Sequence, residues 1–399
     1  MNASHQGANS LGFVLFLILG AIGAITPLAI DMYLPAMPSI AKDFAVDAGA
    51  VQMSLTAYTM GFALGQLIHG PFSDSYGRKP VMVVGIALFA IGSLVCASTD
   101  NVLELTWIRG AQGFAGAAAA VVIQAVVRDM FDREDFARAM SFVTLVITLA
   151  PLAAPMIGGH MAVWFGWRSI FWLLFAFALV VIVLVMWKIP ETLNDDNRQP
   201  LKLKNTLLNY FEMCRSRFAL GMMMCGAFSF SGMFAFLTAG SFVYIDIYGV
   251  SPDEFGYLFG LNVLALIAMT SINGRFVKKM GSVWMLKFGL TIQFFAGIGL
   301  FMSWLLGWGL WGTVPFVVIF IGTISTIGSN SMGLLMSRYP KMAGTASSLA
   351  GTLRFGTGSV IGVIVAMMPS DATWPMVLTM ALCSLLSMAC FVLCGKEKR

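Results

Sequence analysis

Three charged residues, Asp31, Arg109 and Arg354, interrupt long apolar stretches of the 399-residue chain. A charge within a membrane-spanning helix is costly, and it marks a candidate functional site by default. An aspartate buried in this way holds its proton more tightly, because desolvation disfavours the charged form. Asp31 could therefore take up a proton on one side of a membrane and release it on the other. A proton-coupled carrier requires this chemistry.

The depth of Asp31 in the membrane decides whether it can do this. At about 1.5 Å per residue, Asp31 lies roughly 16 Å along a helix from Lys42, which could place it near mid-membrane. The alternative is a span that ends near Ile30 and leaves Asp31 at the outer surface. The chain stays apolar beyond the acid, which favours the deeper position. The flanking prolines are expected to kink this helix beside a cavity or a protein neighbour: Pro27, Pro35 and Pro38.

The other polar candidates leave more than one interpretation. Arg109 precedes Gln112 and several small residues, and it could face a partner helix or snorkel to the outer interface. Arg354 lies too deep in its apolar run to snorkel easily, so we expect it to face a water-filled cavity or a polar partner. Asn330 belongs to a polar patch that could line a cavity or join two helices.

Composition indicates a membrane protein. Hydrophobic residues make up 58% of the chain and charged residues 11%, whereas a soluble domain carries about 25% charged residues. A membrane helix needs about 20 mostly apolar residues. Runs of that length predict twelve spans: 12–40, 48–70, 80–98, 102–126, 139–160, 166–189, 217–244, 254–273, 282–304, 310–335, 343–367 and 373–394.

The positive charges predict the orientation. If both termini lie on one side, nearly all of the 24 Lys and Arg fall there, and only Lys42 and Arg168 fall opposite. This bias predicts cytoplasmic termini and an even number of spans. A polar segment at 190–216 divides the chain into two halves of similar length. We therefore predict a six-helix bundle at 1–189, a cytoplasmic loop at 190–216 and a second bundle at 217–399.

Several function classes are disfavoured by what the sequence contains. The three histidines are scattered, and the six cysteines form no CxxC pair, so no metal site is expected. No GxxxxGK[ST] motif occurs, which argues against an ATP-driven pump. A membrane-embedded enzyme should cluster His, Asp or Glu near an interface, and one intramembrane acid makes a poor selectivity ring for a channel.

The stretch at 70–80, GPFSDSYGRKP, resembles the loop signature of the major facilitator superfamily. An ordinary turn with cytoplasmic positive charges is the alternative, and the full spacing disfavours it. Physically, Asp74 and Arg78 can form charge-assisted bonds at helix ends. The resemblance implies a conformational lock on the cytoplasmic side, in which Ser75 replaces a commoner basic residue. Its members would be Gly70, Asp74, Gly77, Arg78 and, from the fourth span, Asp129.

Further stretches sharpen the resemblance. Residues 109–113 are similar to the family's fourth-span signature, whose arginine is implicated in proton coupling. Residues 150–159 resemble the fifth-span antiporter signature, with Pro151, Pro155, Gly158 and Gly159 in place and alanines where glycines are commoner. Those alanines leave the direction of transport open. Residues 31–38 and 344–354 resemble drug–proton antiporters of the bicyclomycin-resistance type.

The resemblance implies an all-α membrane protein with twelve transmembrane helices in two pseudo-symmetric six-helix bundles, the major facilitator fold. It further implies proton-driven export of small drugs such as bicyclomycin across a bacterial inner membrane by alternating access. Proton symport of a small metabolite is the alternative. We expect a monomer in the lipid bilayer, whose partners are drug and protons, without cofactor, metal or nucleic acid. Asp31 and Arg109 would couple to protons, and the substrate cavity would include Asp31, Tyr33, Gln112, Asn330 and Arg354.

Overall fold

The computed structural model describes residues 3–130, 133–193, 198, 203–339 and 342–394. In these ranges the regular elements are helices. The α-helices are α1 (Ala3–Asp31), α2 (Met37–Asp43), α3 (Ala48–Tyr76), α4 (Arg78–Ala97), α5 (Val102–Met130), α6 (Arg133–Phe165), α7 (Arg168–Lys188), α8 (Leu203–Arg215), α9 (Arg217–Ser241), α10 (Pro252–Met280), α11 (Ser282–Leu305), α12 (Gly309–Arg338), α13 (Ala343–Ala366) and α14 (Trp374–Cys394).

The long helices account for the predicted spans. In the described ranges, eleven helical segments are long and apolar enough to cross a membrane. A twelfth long helix, α3, has 29 residues and carries more polar side chains. Several of these polar residues are buried against other helices, among them Gln52, Thr56 and Thr59. The prediction of an all-α membrane protein is therefore confirmed.

The first predicted span, 12–40, corresponds to one candidate membrane-crossing segment, Val14–Asp43, which is broken into shorter helices. α1 ends at Asp31, a 3-10 turn follows at Leu34–Ala36, and α2 then begins at Met37. Pro35 and Pro38 are the second residues of these two short helices. A proline is tolerated there because its missing N–H would have no partner in the helix. The two prolines thus lie in the first turns of the helices that follow the acid, whereas Pro27 lies inside α1.

The polar segment at 190–216 is also more ordered than the predicted loop. Part of it lies outside the described residues, but α8 occupies Leu203–Arg215. Tyr210 and Met213 are buried in an apolar cluster that includes Leu349 of α13. Burial raises the pKa of Tyr210, and a hydrogen bond to Ser348 opposes that shift. α8 is thus packed onto α13, and the division of the chain at 189 and 217 stays a prediction.

Two pairs of helices join the predicted halves, and both pairs run antiparallel. Along α3 and α13, Thr59 Oγ1 and Ser359 Oγ share a hydrogen bond of 2.8 Å. The Phe62 and Phe355 rings follow with centroids 4.6 Å apart. Along α6 and α10, a Cβ on Gly159 would come within 3.0 Å of Asp253 Cα. These contacts close the end of the molecule where α3 begins and α6 ends.

Candidate functional site

A cavity of about 440 Å³ opens between the helices at the opposite end. Its walls come from the last turns of α3, α5 and α12 and from the first turns of α4 and α13. Most of the lining residues are polar, charged or small, and Val121 and Met332 are apolar. The full set is Gln66, Gly70, Ser73, Asp74, Arg78, Ala120, Val121, Gln124, Ala125, Arg128, Met332, Ser347, Ser348, Ala350, Gly351 and Arg354. The helices are thus in contact at one end and separated at the other, as one state of an alternating-access carrier requires.

Asp31 is the last residue of α1, and it is only 6% exposed. The alternative that left it at an outer surface therefore disagrees with the structure. The structure shows no hydrogen bond or ion pair from the described residues to its carboxyl group. A buried carboxyl without a protein partner is costly as an anion. The acid does not line the cavity in this arrangement.

Arg109 is fully buried in α5, so it does not snorkel to an interface. Its Nη1 donates to Gln112 Oε1 at 2.7 Å, and its Nη2 donates to the Ala29 carbonyl at 3.0 Å. The guanidinium also lies over two tyrosine rings, 4.3 Å from the centroid of Tyr58 and 4.7 Å from that of Tyr33. These contacts disperse the buried charge over hydrogen-bond acceptors and aromatic faces.

Gln112 and Tyr33 belong to the surroundings of Arg109 and not to the cavity wall. Gln112 Nε2 donates to Ser93 Oγ of α4 at 2.7 Å, and both residues are fully buried. The Tyr33 hydroxyl shares a 2.6 Å hydrogen bond with Ser54 Oγ of α3. We call this set of residues, Ala29, Tyr33, Tyr58, Ser93, Arg109 and Gln112, the arginine cluster. The cluster joins the end of α1 to α3, α4 and α5.

The structure does not form an ion pair between Asp31 and Arg109 in this state. They are connected through the main chain, because Ala29 precedes Asp31 by half a helical turn and accepts the hydrogen bond from Arg109. Arg109 thus contacts the helix end that carries Asp31. Proton coupling by the two residues stays a prediction.

The loop signature at 70–80 forms a network around Arg78. The Arg78 guanidinium pairs with Asp74, and its Nε lies 3.3 Å from Asp129 Oδ2. Its Nη1 also donates to Ser73 Oγ at 2.8 Å, and Ser73 Oγ donates to the Gly70 carbonyl at 2.9 Å. Arg78 is buried, so these charge-assisted bonds are partly shielded from water.

Glu191 completes this network, and sequence analysis did not identify it. Its carboxylate accepts hydrogen bonds from the main-chain N–H of Arg78 at 3.0 Å and from that of Lys79 at 3.2 Å. These N–H groups are at the start of α4, where no helical partner exists for them. Gly77, at φ 102°, turns the chain into α4, and a Cβ there would contact the Glu191 carboxylate. In the sequence, only the charged stretch after Pro190 pointed to a role for Glu191.

The described contacts of this network stay within α3, α4, α5 and the segment after α7. The cavity lies between the network and α13. The predicted members of the conformational lock, Gly70, Asp74, Gly77, Arg78 and Asp129, are thus brought together. Their role in locking a state stays a prediction.

In the second half of the chain, Arg354 is part of the cavity wall and Asn330 is not. Arg354 lines the cavity, and its Cζ lies 5.2 Å from the centroid of the Phe230 ring. Asn330 Nδ2 donates to Asn273 Oδ1 of α10 at 2.6 Å and to the Thr326 carbonyl at 2.8 Å. Asn330 therefore joins α12 to α10 and does not line the cavity.

The residues of the predicted antiporter signature lie where α6 meets its neighbours. Pro151 and Pro155 are inside the continuous helix α6. A Cβ on Gly158 would meet the Met32 backbone, just after Asp31, and a Cβ on Gly159 would meet the backbone of α10. The glycine pair therefore allows α6 to approach the break after α1 on one side and α10 on the other. Among the described residues, no three His, Cys, Asp or Glu side chains are grouped to hold a metal.

Comparisons with known proteins agree with this architecture. A family model described as Major Facilitator Superfamily matches residues 19–363. A bicyclomycin resistance protein homolog of Haemophilus influenzae is 42% identical over 379 residues, which are 95% of each chain. Multidrug resistance protein D of Escherichia coli is 28% identical over 385 residues, again 95% of each chain.

Solved structures share the fold. The xylose transporter XylE of Escherichia coli, in a partially occluded inward open conformation, superposes with a TM-score of 0.74. The superposition covers 98% of each chain at 12% sequence identity. At that identity the likeness concerns the arrangement of the helices alone.

Proposed function

Because this chain belongs to the major facilitator superfamily, we propose that it exports small drugs across a bacterial inner membrane in exchange for protons. The family and its all-α membrane fold were predicted from residues 70–80 and from the twelve apolar runs, and both predictions are confirmed. The chain is a multi-pass membrane transporter and not an enzyme.

The export of drugs is supported by the relatives. The Haemophilus influenzae protein and the Escherichia coli protein are named for resistance to bicyclomycin and to multiple drugs. Both match nearly the whole of this chain, including the span with Asp31 and the span with Arg354. We therefore propose bicyclomycin-like compounds as the cargo. The alternative to drug export is uptake of a metabolite by proton symport.

One observation carries the proposal of proton coupling: a buried carboxyl group without a protein partner at the break after α1. Asp31 is the last residue of α1, three residues before the turn at Leu34–Ala36, so a movement of this helix end would change which groups surround the acid. It can therefore hold a proton while it is buried and lose it where water or a cation reaches it. We propose that Asp31 is the proton carrier.

Arg109 would act on Asp31 by position and charge. The arginine cluster holds the end of α1 through the hydrogen bond to the Ala29 carbonyl, and its Arg109 is a fully buried cation. A cation at close range favours the ionised form of a carboxyl group. We propose that closer approach of these two residues in another state promotes release of the proton.

The cycle proposed here exchanges the open and closed ends. The positive charges predict that the 70–80 loop faces the cytoplasm, so the cavity would open to the cytoplasm in the present state. Cargo would enter beside Gln66 and Arg354, and the contacts along α3–α13 and α6–α10 would then separate at the outer end. The proposed transporter acts as a monomer in lipid, and the proton gradient supplies its energy.

Transport by everted membrane vesicles tests the proposed direction. Vesicles that contain the protein should accumulate radiolabelled bicyclomycin when they are energised, and an uncoupler should abolish the accumulation. Vesicles from cells without the protein are the control. Energy-dependent loss of the compound from preloaded everted vesicles would instead indicate proton symport into the cell.

A further inference from the structure

The charged residues that line the cavity differ in their partners. Asp74 and Arg78 pair with each other, and Arg78 also lies 3.3 Å from Asp129. Arg128 Nε is 3.7 Å from the other carboxylate oxygen of Asp129. Among the described residues, no carboxylate oxygen lies within 4.0 Å of the Arg354 guanidinium. Arg354 is thus the one cation on this wall without a protein counter-charge in the part of the chain that the structure describes.

The surroundings of Arg354 hold its side chain without using its hydrogen-bond donors. The guanidinium lies over the Phe230 ring, 5.2 Å from its centroid. Gly328 of α12 leaves room beside it, since a Cβ there would lie 3.0 Å from Arg354 Nη2. A guanidinium carries five N–H donors in a planar fork. In the described ranges these donors have no protein acceptor, so whatever enters the cavity must supply one.

The rest of the wall offers neutral polar groups. Gln66 and Gln124 come from the first half of the chain, and Ser347 and Ser348 from α13. These side chains can bind hydroxyl, amide or carbonyl groups of a cargo. The cavity therefore combines one unneutralised cation with adaptable hydrogen-bonding groups. A cationic cargo would be repelled by Arg354, whereas a planar anion would fit its fork.

We propose that Arg354 gives this cavity a preference for cargo that carries a carboxylate, which it binds through two parallel N–H···O bonds. A neutral compound such as bicyclomycin would bind through the polar groups of the wall without this pair. The proposal rests on the proposed function, in that this cavity is where a small-molecule cargo binds. It goes further by naming the chemical group that the cavity recognises. Arg354 is then the residue that determines specificity, and Phe230 and Gly328 position it.

Binding of a matched pair of probes tests the proposal. The probes are a fluorescent coumarin carboxylate and the carboxamide of the same ring system, which differ only in the charge of one group. Affinities are measured with purified protein in lipid nanodiscs, without a proton gradient. The unmodified protein should bind the carboxylate about ten-fold more tightly than the carboxamide, the order expected for a charge-assisted pair.

Three variants separate the role of Arg354 from general effects. Arg354→Gln should remove the preference for the carboxylate and leave binding of the carboxamide unchanged. Arg354→Lys should keep part of the preference, because a lysine retains the charge but loses the fork. Arg338→Gln is the matched control, because Arg338 also lies over a phenylalanine ring, 4.5 Å from the centroid of Phe218, but does not line the cavity. It should bind like the unmodified protein.

The outcomes bear on this proposal separately from the proposed function. Equal affinity for the two probes, or no binding of the carboxylate by the unmodified protein, would overturn it. So would an equal loss of both probes in a folded Arg354→Gln variant, because that result indicates a structural role. If Arg354→Gln does not fold, the affinities of the unmodified protein for the carboxylate and the carboxamide still test the proposed preference. Since no gradient is present, failure of proton coupling or a reversed direction of transport would leave these results intact.

Discussion

Arg109 Nη2 donates a hydrogen bond of 3.0 Å to the carbonyl of Ala29, half a helical turn before Asp31. The bond joins a fully buried cation in α5 to the end of α1, where the helix stops at the acid. The hydrogen bond therefore connects Arg109 to the helix end that carries Asp31, without an ion pair between the two charged residues. A shift of α1 relative to α5 would change both the hydrogen bond and the surroundings of Asp31.

Replacement of Arg109 by lysine tests this coupling. Lysine keeps the positive charge, but it cannot donate to Gln112 and Ala29 at once while it lies between two tyrosine rings. We expect Arg109→Lys to lower proton-driven export by roughly ten-fold or more, since a hydrogen bond to a charged group contributes about 1.5–3 kcal/mol. Export is measured in energised everted vesicles and normalised to the amount of protein.

If Arg109→Lys exported at the unmodified rate, a positive charge at this position would be sufficient for export. That result would contradict a role for the two hydrogen bonds of the Arg109 guanidinium. Lys42→Arg is a suitable control for a change between the same two residue types. Lys42 is exposed at the closed end and pairs with Asp246 at 3.3 Å. Exposed ion pairs contribute little to stability, so this variant should export normally.

Two glycines in α5 should respond differently to alanine. A Cβ on Gly113 would overlap the Tyr58 carbonyl of α3, and backbone cannot move aside as a flexible side chain does. Around Gly110 the nearest atom to such a Cβ is the Ala57 carbonyl oxygen at 3.6 Å, an ordinary contact. Gly113→Ala should therefore lower stability by about 1–3 kcal/mol, and Gly110→Ala should lower it far less.

Thermal unfolding of the two purified glycine variants in detergent measures this difference. The variants change the same residue type in the same helix, so each controls for the other. Equal melting temperatures for Gly113→Ala and the unmodified protein would contradict the close packing of α3 against α5.

Glu191 should stabilise the network around Arg78 through the start of α4. Its carboxylate accepts hydrogen bonds from two N–H groups that the helix leaves unpaired. Removal of a side chain that caps a helix start costs about 1 kcal/mol. We expect Glu191→Ala to lower the melting temperature and Glu212→Ala, which removes an exposed acid from α8, to leave it unchanged. Identical melting temperatures for both variants would remove Glu191 from the network.

Local patterns in the sequence predicted the elements but not all of their ends. Twelve apolar runs predicted the long helices because the length and polarity of each span are local properties. The prolines around Asp31 indicated a distortion, but they could not show that α1 ends at Asp31 and that short helices begin at Leu34 and Met37. The short helix α8 was missed because its 13 residues are too few to span a membrane, and the burial of Tyr210 and Met213 depends on residues distant in the sequence, such as Leu349.

The site was predicted less completely, because its contacts join distant parts of the chain. Spacing predicted that Asp74 and Arg78 come together, since they lie four residues apart in the sequence. No spacing rule connects Lys79 with Glu191, which is 112 residues away in the sequence. Tyr33 and Gln112 were predicted on the cavity wall from their spans alone. Which side of a helix faces the cavity depends on how neighbouring helices pack, and both side chains are turned towards Arg109.

Proton release from the purified protein tests most directly whether Asp31 is the proton carrier. Addition of bicyclomycin to the detergent-solubilised protein in weakly buffered solution should release protons, which a pH indicator dye detects. Asp31→Asn should release none, although it stays folded and inserted. Asp47→Asn, which removes an exposed acid beyond α2, should release as many as the unmodified protein. Undiminished proton release by Asp31→Asn would contradict the account.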